Sequence, residues 1–371
     1  MKYKYLLLLS SLGLLVACGP KDDPDNPSET PIYEIGDAKA VNGTGLLFSE
    51  TVGFNCKDAS VFEENGERYV IYATSETAKG KQVFAARKAT LSGGKWVYGP
   101  KNIIFRGSTE EEAWDAYIFQ PSVVKGEFTY NSVSYSYLMA YHGNPDGTNY
   151  NNSIGFAVSN DVLGSWTRVG EFPVLQNPEI YEGSYGFGSP VLTSVDKHGS
   201  LLLTYSFGET LLSGARVKSV NASNLNSIQF EAGYTELPTA GLVDRDDGVI
   251  TNCGFAMNKD YSKVYIANDG MTSANNPNQA LSVEIASSTQ SIISSHSASW
   301  NSIKKITGFD TIDMDDVDSL GWDEIYSATF VTDQYGLVDD ASKLEVVYST
   351  YNEGGIDAKW TAQLCSFVIN L

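Results

Sequence analysis

The chain has 371 residues, 42% hydrophobic and 12% aromatic, enough to bury a large core. Its formal net charge of −20 excludes a nucleic-acid partner, whose phosphates need a basic surface. That charge fits solubility, or a neutral or cationic ligand.

Residues 1–17 read MKYKYLLLLSSLGLLVA: two lysines, then an apolar run too short to span a bilayer as a stable helix. The run ends in Leu15-Val16-Ala17-Cys18, which resembles the bacterial lipoprotein signal. That resemblance implies lipidation of Cys18 and an anchor on one membrane face. Residues 18–32 hold several prolines and acids with almost no apolar content, the composition of a flexible tether. Lys21-Asp22-Asp23 resembles the export signal of Bacteroidetes-type surface lipoproteins, which implies an outer-membrane protein facing the cell exterior.

From residue 33 to 371 one module repeats, and we expect a single domain. A first strand reads DASVF (Asp58–Phe62), QPSVV (Gln120–Val124), GSPVL (Gly188–Leu192), NCGFAM (Asn252–Met257) and SATFV (Ser327–Val331). A second reads RYVIYATS, YSYLMAYHG, SLLLTYSFG, SKVYIANDG and KLEVVYSTY. A third reads QVFAARKAT, SIGFAVSND, ARVKSVNAS, QALSVEIAS and KWTAQLCSF. A fourth ends on Trp96, Trp166, Phe230 or Trp300. Gly, Asn, Asp and Pro separate the runs, so they read as short antiparallel strands. Five copies at a spacing of roughly 60–75 residues predict an all-β, five-bladed β-propeller with four antiparallel strands per blade. No fourth strand follows the fifth copy, so a segment between Tyr33 and Phe48 is expected to close the ring.

In a propeller the first strands line the central axis. The opening residues of the five copies, Asp58, Gln120, Gly188 or Ser189, Asn252 and Ser327, should form one polar ring. Such a ring suits a wet, sugar-sized pocket, and it also suits a merely hydrated channel mouth. Cys56, Cys253 and Cys365 are too few for a disulfide scaffold, and three buried free thiols are expected, with one bridge as the alternative. No cofactor motif occurs, and DRDDG (Asp244–Gly248) lacks the further ligands of a calcium loop, so neither cofactor nor metal is expected.

DASVF with the following YVIYAT, the IGFAVSND…GSW run and the GSPVL strand resemble the five-bladed glycoside hydrolases of families 43 and 32, the arabinanase, xylosidase and invertase type. The resemblance implies a carbohydrate partner, with Asp58 as base or nucleophile, a glutamate from a later blade as acid, and a further aspartate between them. The third and fourth inner strands depart from the pattern, with Gly188-Ser189-Pro190 and Asn252-Cys253-Gly254 where acidic residues stand in the family. Glu182, Asp246 and Glu324 lie on nearby entry loops as substitute acids, or as solvated charges. Trp114-Asp115 and Trp322-Asp323 lie just before inner strands, where the Trp rings would stack on sugar or pack between blades. His142 follows the second strand of the second copy. Two functions stay open: a cell-surface glycoside hydrolase, or a non-catalytic surface glycan-binding protein. Either acts as a monomer or within a surface glycan-uptake complex.

Overall fold

The computed structural model describes residues 33–35, 46–50, 53–148, 150–176, 183–209, 214–243, 249–250, 252–270, 282–295, 297–307, 322–352 and 362–371. For 33–35, 307, 322–324 and 351–352 it describes the backbone alone. The leader, Cys18, the tether, Glu182 and Asp246 lie outside these residues. Residues Tyr33–Leu371 form one compact unit.

The described residues build five blades. The first has its inner strand at Lys57–Glu64, followed by Glu67–Ser75 and Gln82–Ser92. Its outer edge is split between Lys95–Tyr98 and Asn102–Arg106, both antiparallel to Gln82–Ser92. The second blade runs Tyr117–Tyr130, Val133–Asn144, Ser153–Ser159 and Thr167–Arg168. The third runs Gly186–Ser194, Ser200–Gly208 and Gly214–Asn221, with outer pieces Gln229–Phe230 and Thr235–Glu236. The fourth runs Cys253–Asn258, Lys263–Asp269, Ser282–Thr289 and Asn301–Thr307. The fifth runs Trp322–Asp333, Lys343–Asn352 and Gln363–Asn370.

The missing outer strand comes from the start of the chain. Tyr33–Ile35 pairs antiparallel with the last strand, Tyr33 opposite Ile369 and Ile35 opposite Phe367. Leu46 adds a bridge to Cys365, and the Leu47 amide donates to the Leu364 carbonyl at 3.0 Å. Blade five thus gains a fourth strand, and the end of the chain is not left as an open edge.

A strand buried on both faces must be apolar on both, because each blade packs between two neighbours. The hydrophobic clusters follow that rule, one to each junction. Phe62 and Phe84 meet Met139 and Tyr141 between blades one and two. Phe128 and Phe156 meet Phe187 and Tyr205 between two and three. Val217 meets Phe255 and Trp300 between three and four. Tyr265 and Ile285 meet Phe330 and Phe367 between four and five. Val61 and Tyr72 meet Val347 and Leu364 between five and one. Each large buried side chain contributes about 1.5–3 kcal/mol. At the last junction Arg68 of blade one adds a bidentate pair to Glu345 of blade five, both contacts at 2.7 Å. Cys56, Cys253 and Cys365 are buried, free thiols.

Candidate functional site

A repeated irregularity aims the ring residues. Asp58, Gln120, Ser189 and Ser327 have φ of 54°, 50°, 48° and 51°, the left-handed region that non-glycine residues avoid. Each sits where its inner strand slips register against the second strand, as between Lys57 and Ser60 or Tyr326 and Thr329. The same β-bulge thus recurs in four blades, turning one side chain per blade toward the axis. Asp58, Gln120, Ser189, Asn252 and Ser327 together line a narrow central channel of about 40 Å³. In blade three it is Ser189, not Gly188, that takes the ring position. Its hydroxyl lies 2.8 Å from Gln120 Oε1 and 2.7 Å from Asn252 Oδ1.

The bulge also settles what stands above the ring. With the period of two broken, Lys57, Phe119 and Tyr326, each one place before a ring residue, line a wider pocket with Asp58, Gln120 and Asn252. Tyr117, His142, Tyr185 and the turn carrying Lys79 and Lys81 also line it, around a volume of about 490 Å³. This is ample for a sugar residue or two. Asp58 lies at its floor, its side chain 1% exposed. The Tyr326 hydroxyl donates to Asp58 Oδ1 at 2.6 Å, and Lys57 Nζ donates to the same hydroxyl at 3.1 Å. Asp58 Oδ2 faces Lys57 Nζ at 3.3 Å. The Asp58 amide donates to Ser349 Oγ at 3.0 Å, so the fifth blade holds the strained backbone of the first.

Asp269, which the sequence reading passed over, does the same one blade earlier. Its carboxyl accepts the Ser327 amide at 2.9 and 3.2 Å. Burial pushes this carboxyl up to about 8, the Asp58 charge adding to it, against hydrogen bonds from the Ser327 and Ala328 amides and the Asn252 side chain. At neutral pH Asp269 therefore keeps its proton. His142 is 6% exposed, and burial pushes its imidazole down to about 4, so it lines the pocket as a neutral ring. Its Nδ1 lies 3.3 Å from Gln120 Oε1, and the Asn152 side chain against the ring opposes the effect of burial without overcoming it.

The structure separates the remaining candidates. Asp58, Gln120, Ser189 and Asn252 line the central channel, and His142 lines the pocket above it. Trp114 and Asp115 do not line the pocket. The Trp114 ring stacks on Tyr141, centroids 5.7 Å apart, and its Nε1 donates to the Glu171 carbonyl at 3.0 Å. Asp115 is buried and accepts Tyr141 Oη at 2.9 Å and Arg168 Nε at 2.7 Å. Both therefore build the packing of blade two: the apolar ring covers a tyrosine, and the carboxylate is neutralised by the arginine. Trp322 and Glu324 begin the inner strand of blade five, and their side chains are not among those described. Among the described residues, Asp58 is the one carboxylate that lines the pocket.

No family model matches the chain, and no curated protein matches it in sequence. Solved structures do match it. A structure of a BT0996 RGII complex shares 11% identity, with a TM-score of 0.56 over 89% of this chain and 94% of the other. The α-L-arabinofuranosidase PaAbf62A from Podospora anserina, in complex with cellotriose, shares 12%, with a TM-score of 0.53 over 88% and 95%. Zg3597, a family 117 glycoside hydrolase from Zobellia galactanivorans, shares 9%, with a TM-score of 0.52 over 87% of each protein. Identities this low speak to architecture alone. The protein has the five-bladed β-propeller fold of these glycoside hydrolases.

Proposed function

We propose that this protein is a glycoside hydrolase that acts on a poly- or oligosaccharide in the pocket above Asp58. The observation that carries the reading is the placement of Asp58. A strained bulge delivers one carboxylate to the floor of a sugar-sized pocket walled by Tyr117, Phe119 and Tyr326. Aromatic faces suit the apolar faces of sugar rings, and the ring amides and hydroxyls suit their OH groups.

Hydrolysis needs one group to activate water or attack the anomeric carbon and another to protonate the leaving oxygen. Asp58 serves as the first. The Tyr326 hydroxyl stands between it and the pocket, so as the attacking water approaches, the phenol passes its proton to the Asp58 carboxylate and takes the water's proton in return. Lys57 supports the negative charge that develops there. The acid is supplied by Glu182, Asp246 or Glu324. The leader supports a lipid on Cys18, which would hold the enzyme at the outer membrane, facing the exterior.

A second reading, a non-catalytic glycan-binding protein, is favoured by one fact: Asp58 stands without a second carboxylate among the described pocket residues. Incubation of the protein with plant, fructan and host glycans, read by product analysis and by retention in affinity gels, tests both. Product release that Asp58→Asn abolishes supports the enzyme. Retention without product supports the binding protein.

A further inference from the structure

The contact between Tyr326 and Asp58 joins two strained points of the backbone. Asp58 has φ of 54°, and Ser327, the residue after Tyr326, has φ of 51°. Backbone in this region persists only where its surroundings hold it. Each of the two is held from the second strand of the preceding blade. Ser349, the register partner of Tyr326 in blade five, accepts the Asp58 amide through its hydroxyl. Asp269 ends the strand Lys263–Asp269 of blade four. It accepts the Ser327 amide through both carboxyl oxygens, at 2.9 and 3.2 Å.

A serine hydroxyl suffices for the first tie, whereas the second uses a carboxyl on a buried residue. A buried carboxyl is costly unless its oxygens are satisfied. This one gathers the Ser327 and Ala328 amides of the bulge and the side chain of Asn252, the ring residue of its own blade. The Ser327 amide shares one rigid plane with the Tyr326 carbonyl. Fixing that amide fixes the last backbone torsion of Tyr326, and so the direction in which the phenol leaves the chain. The phenol has to meet Asp58 Oδ1 at 2.6 Å across a blade junction. A hydrogen bond that short tolerates little rotation at its base.

Resting on the hydrolase reading, we infer that Asp269 is a positioning residue for the reaction, one that sets the bulge at Ser327 so that the Tyr326 hydroxyl stands on Asp58. Asp269 touches no reacting atom and acts through the phenol. The same carboxyl braces Asn252 at the pocket floor, so one buried group of blade four holds parts of two blades in register.

The test uses Asp269→Ala, which loses the acceptor, Asp269→Asn, which keeps one, and Asp269→Ala combined with Tyr326→Phe. In crystals of ligand-free Asp269→Ala the Tyr326 hydroxyl should lie beyond about 3.5 Å from Asp58 Oδ1. On an active glycan its kcat should fall at least about tenfold with KM changed by less than about threefold, because a small misplacement of a reacting group is enough. Asp269→Asn should recover kcat to within about threefold of wild type. With Tyr326→Phe already in place, Asp269→Ala should lower kcat by less than about twofold, since the phenol it positions is gone. Asp269→Ser, one bond too short to reach both amides, carries the same measurements if the alanine variant does not fold. An unmoved Tyr326, or an equal loss of kcat in both backgrounds, would overturn the inference and leave the hydrolase reading standing. Wild-type protein without turnover would overturn the hydrolase reading, and an unmoved Tyr326 would then overturn the placement as well.

Discussion

The Tyr326 hydroxyl donates to Asp58 Oδ1 at 2.6 Å across the junction of blades five and one. The carboxylate is almost wholly buried, whereas the tyrosine is half-buried and lines the pocket. Substrate therefore meets the phenol first, and the carboxylate acts through it or after it moves aside.

That arrangement makes Tyr326→Phe informative. The change keeps the aromatic wall and removes the shared proton. We expect kcat to fall by about 10²-fold, within the range for loss of a positioned proton-transfer group, with KM changed by less than about threefold. Steady-state kinetics on an active glycan check it. A kcat within twofold of wild type would show that Asp58 works without the phenol.

Asp269 predicts a pH dependence of stability. Its folded value of about 8 lies above the usual carboxylate range. The native state keeps this proton while the unfolded protein loses it as pH rises beyond about 4, so stability falls from there up to about pH 8 and levels off above. Asp269→Asn keeps an acceptor for the Ser327 amide and cannot ionise. Its melting temperature should therefore fall less than that of wild type between pH 5 and 8. Thermal melts of the two proteins across that range decide it, and parallel curves would contradict the account.

His142 works in the opposite direction. Its folded value of about 4 lies below the unfolded value near 6.5, so above pH 6.5 both states are neutral and nothing changes. Below it the unfolded protein takes up a proton that the native state refuses, and stability declines until about pH 4. The loss is on the order of 3 kcal/mol. His142→Gln should flatten this acid limb in denaturant melts. An unchanged limb would place the acid sensitivity elsewhere.

Much of this was legible in the residues. The five inner-strand repeats gave the blades, and the opening residues of those repeats do form the axial ring. The closing strand was sought between Tyr33 and Phe48, and Tyr33–Ile35 supplies it. The pocket above the ring was missed for a physical reason. Alternation along a strand sends Lys57, Phe119 and Tyr326 away from the face of Asp58, Gln120 and Ser327, but the bulge at each ring residue breaks the alternation. The available signal was a large side chain immediately before the ring position in three copies. Lys79 and Lys81 belong to a turn, where no period places a side chain. The position of Trp114-Asp115 before an inner strand left the ring open to stacking on sugar or packing between blades, because spacing cannot tell a loop facing the axis from one that folds over Tyr141.

The closing strand carries a prediction of its own. A protein that begins at residue 33 keeps the whole unit Tyr33–Leu371 and should melt within about 2 °C of the full-length one. A protein that begins at residue 46 loses Tyr33–Ile35 and leaves Gln363–Asn370 as an open edge. It should melt several degrees lower and aggregate on heating. Equal melting of the two would show that this strand does not contribute to stability.

The most direct test is Asp58→Asn, measured for turnover and binding in the same preparation. The amide keeps the shape of the carboxylate and an acceptor for Tyr326, and removes the charge. Turnover of the active glycan should fall by about 10³-fold or more while oligosaccharide affinity stays within about threefold and the melting temperature barely moves. A variant that retains wild-type turnover would contradict the role given to Asp58, and with it the hydrolase reading of this pocket.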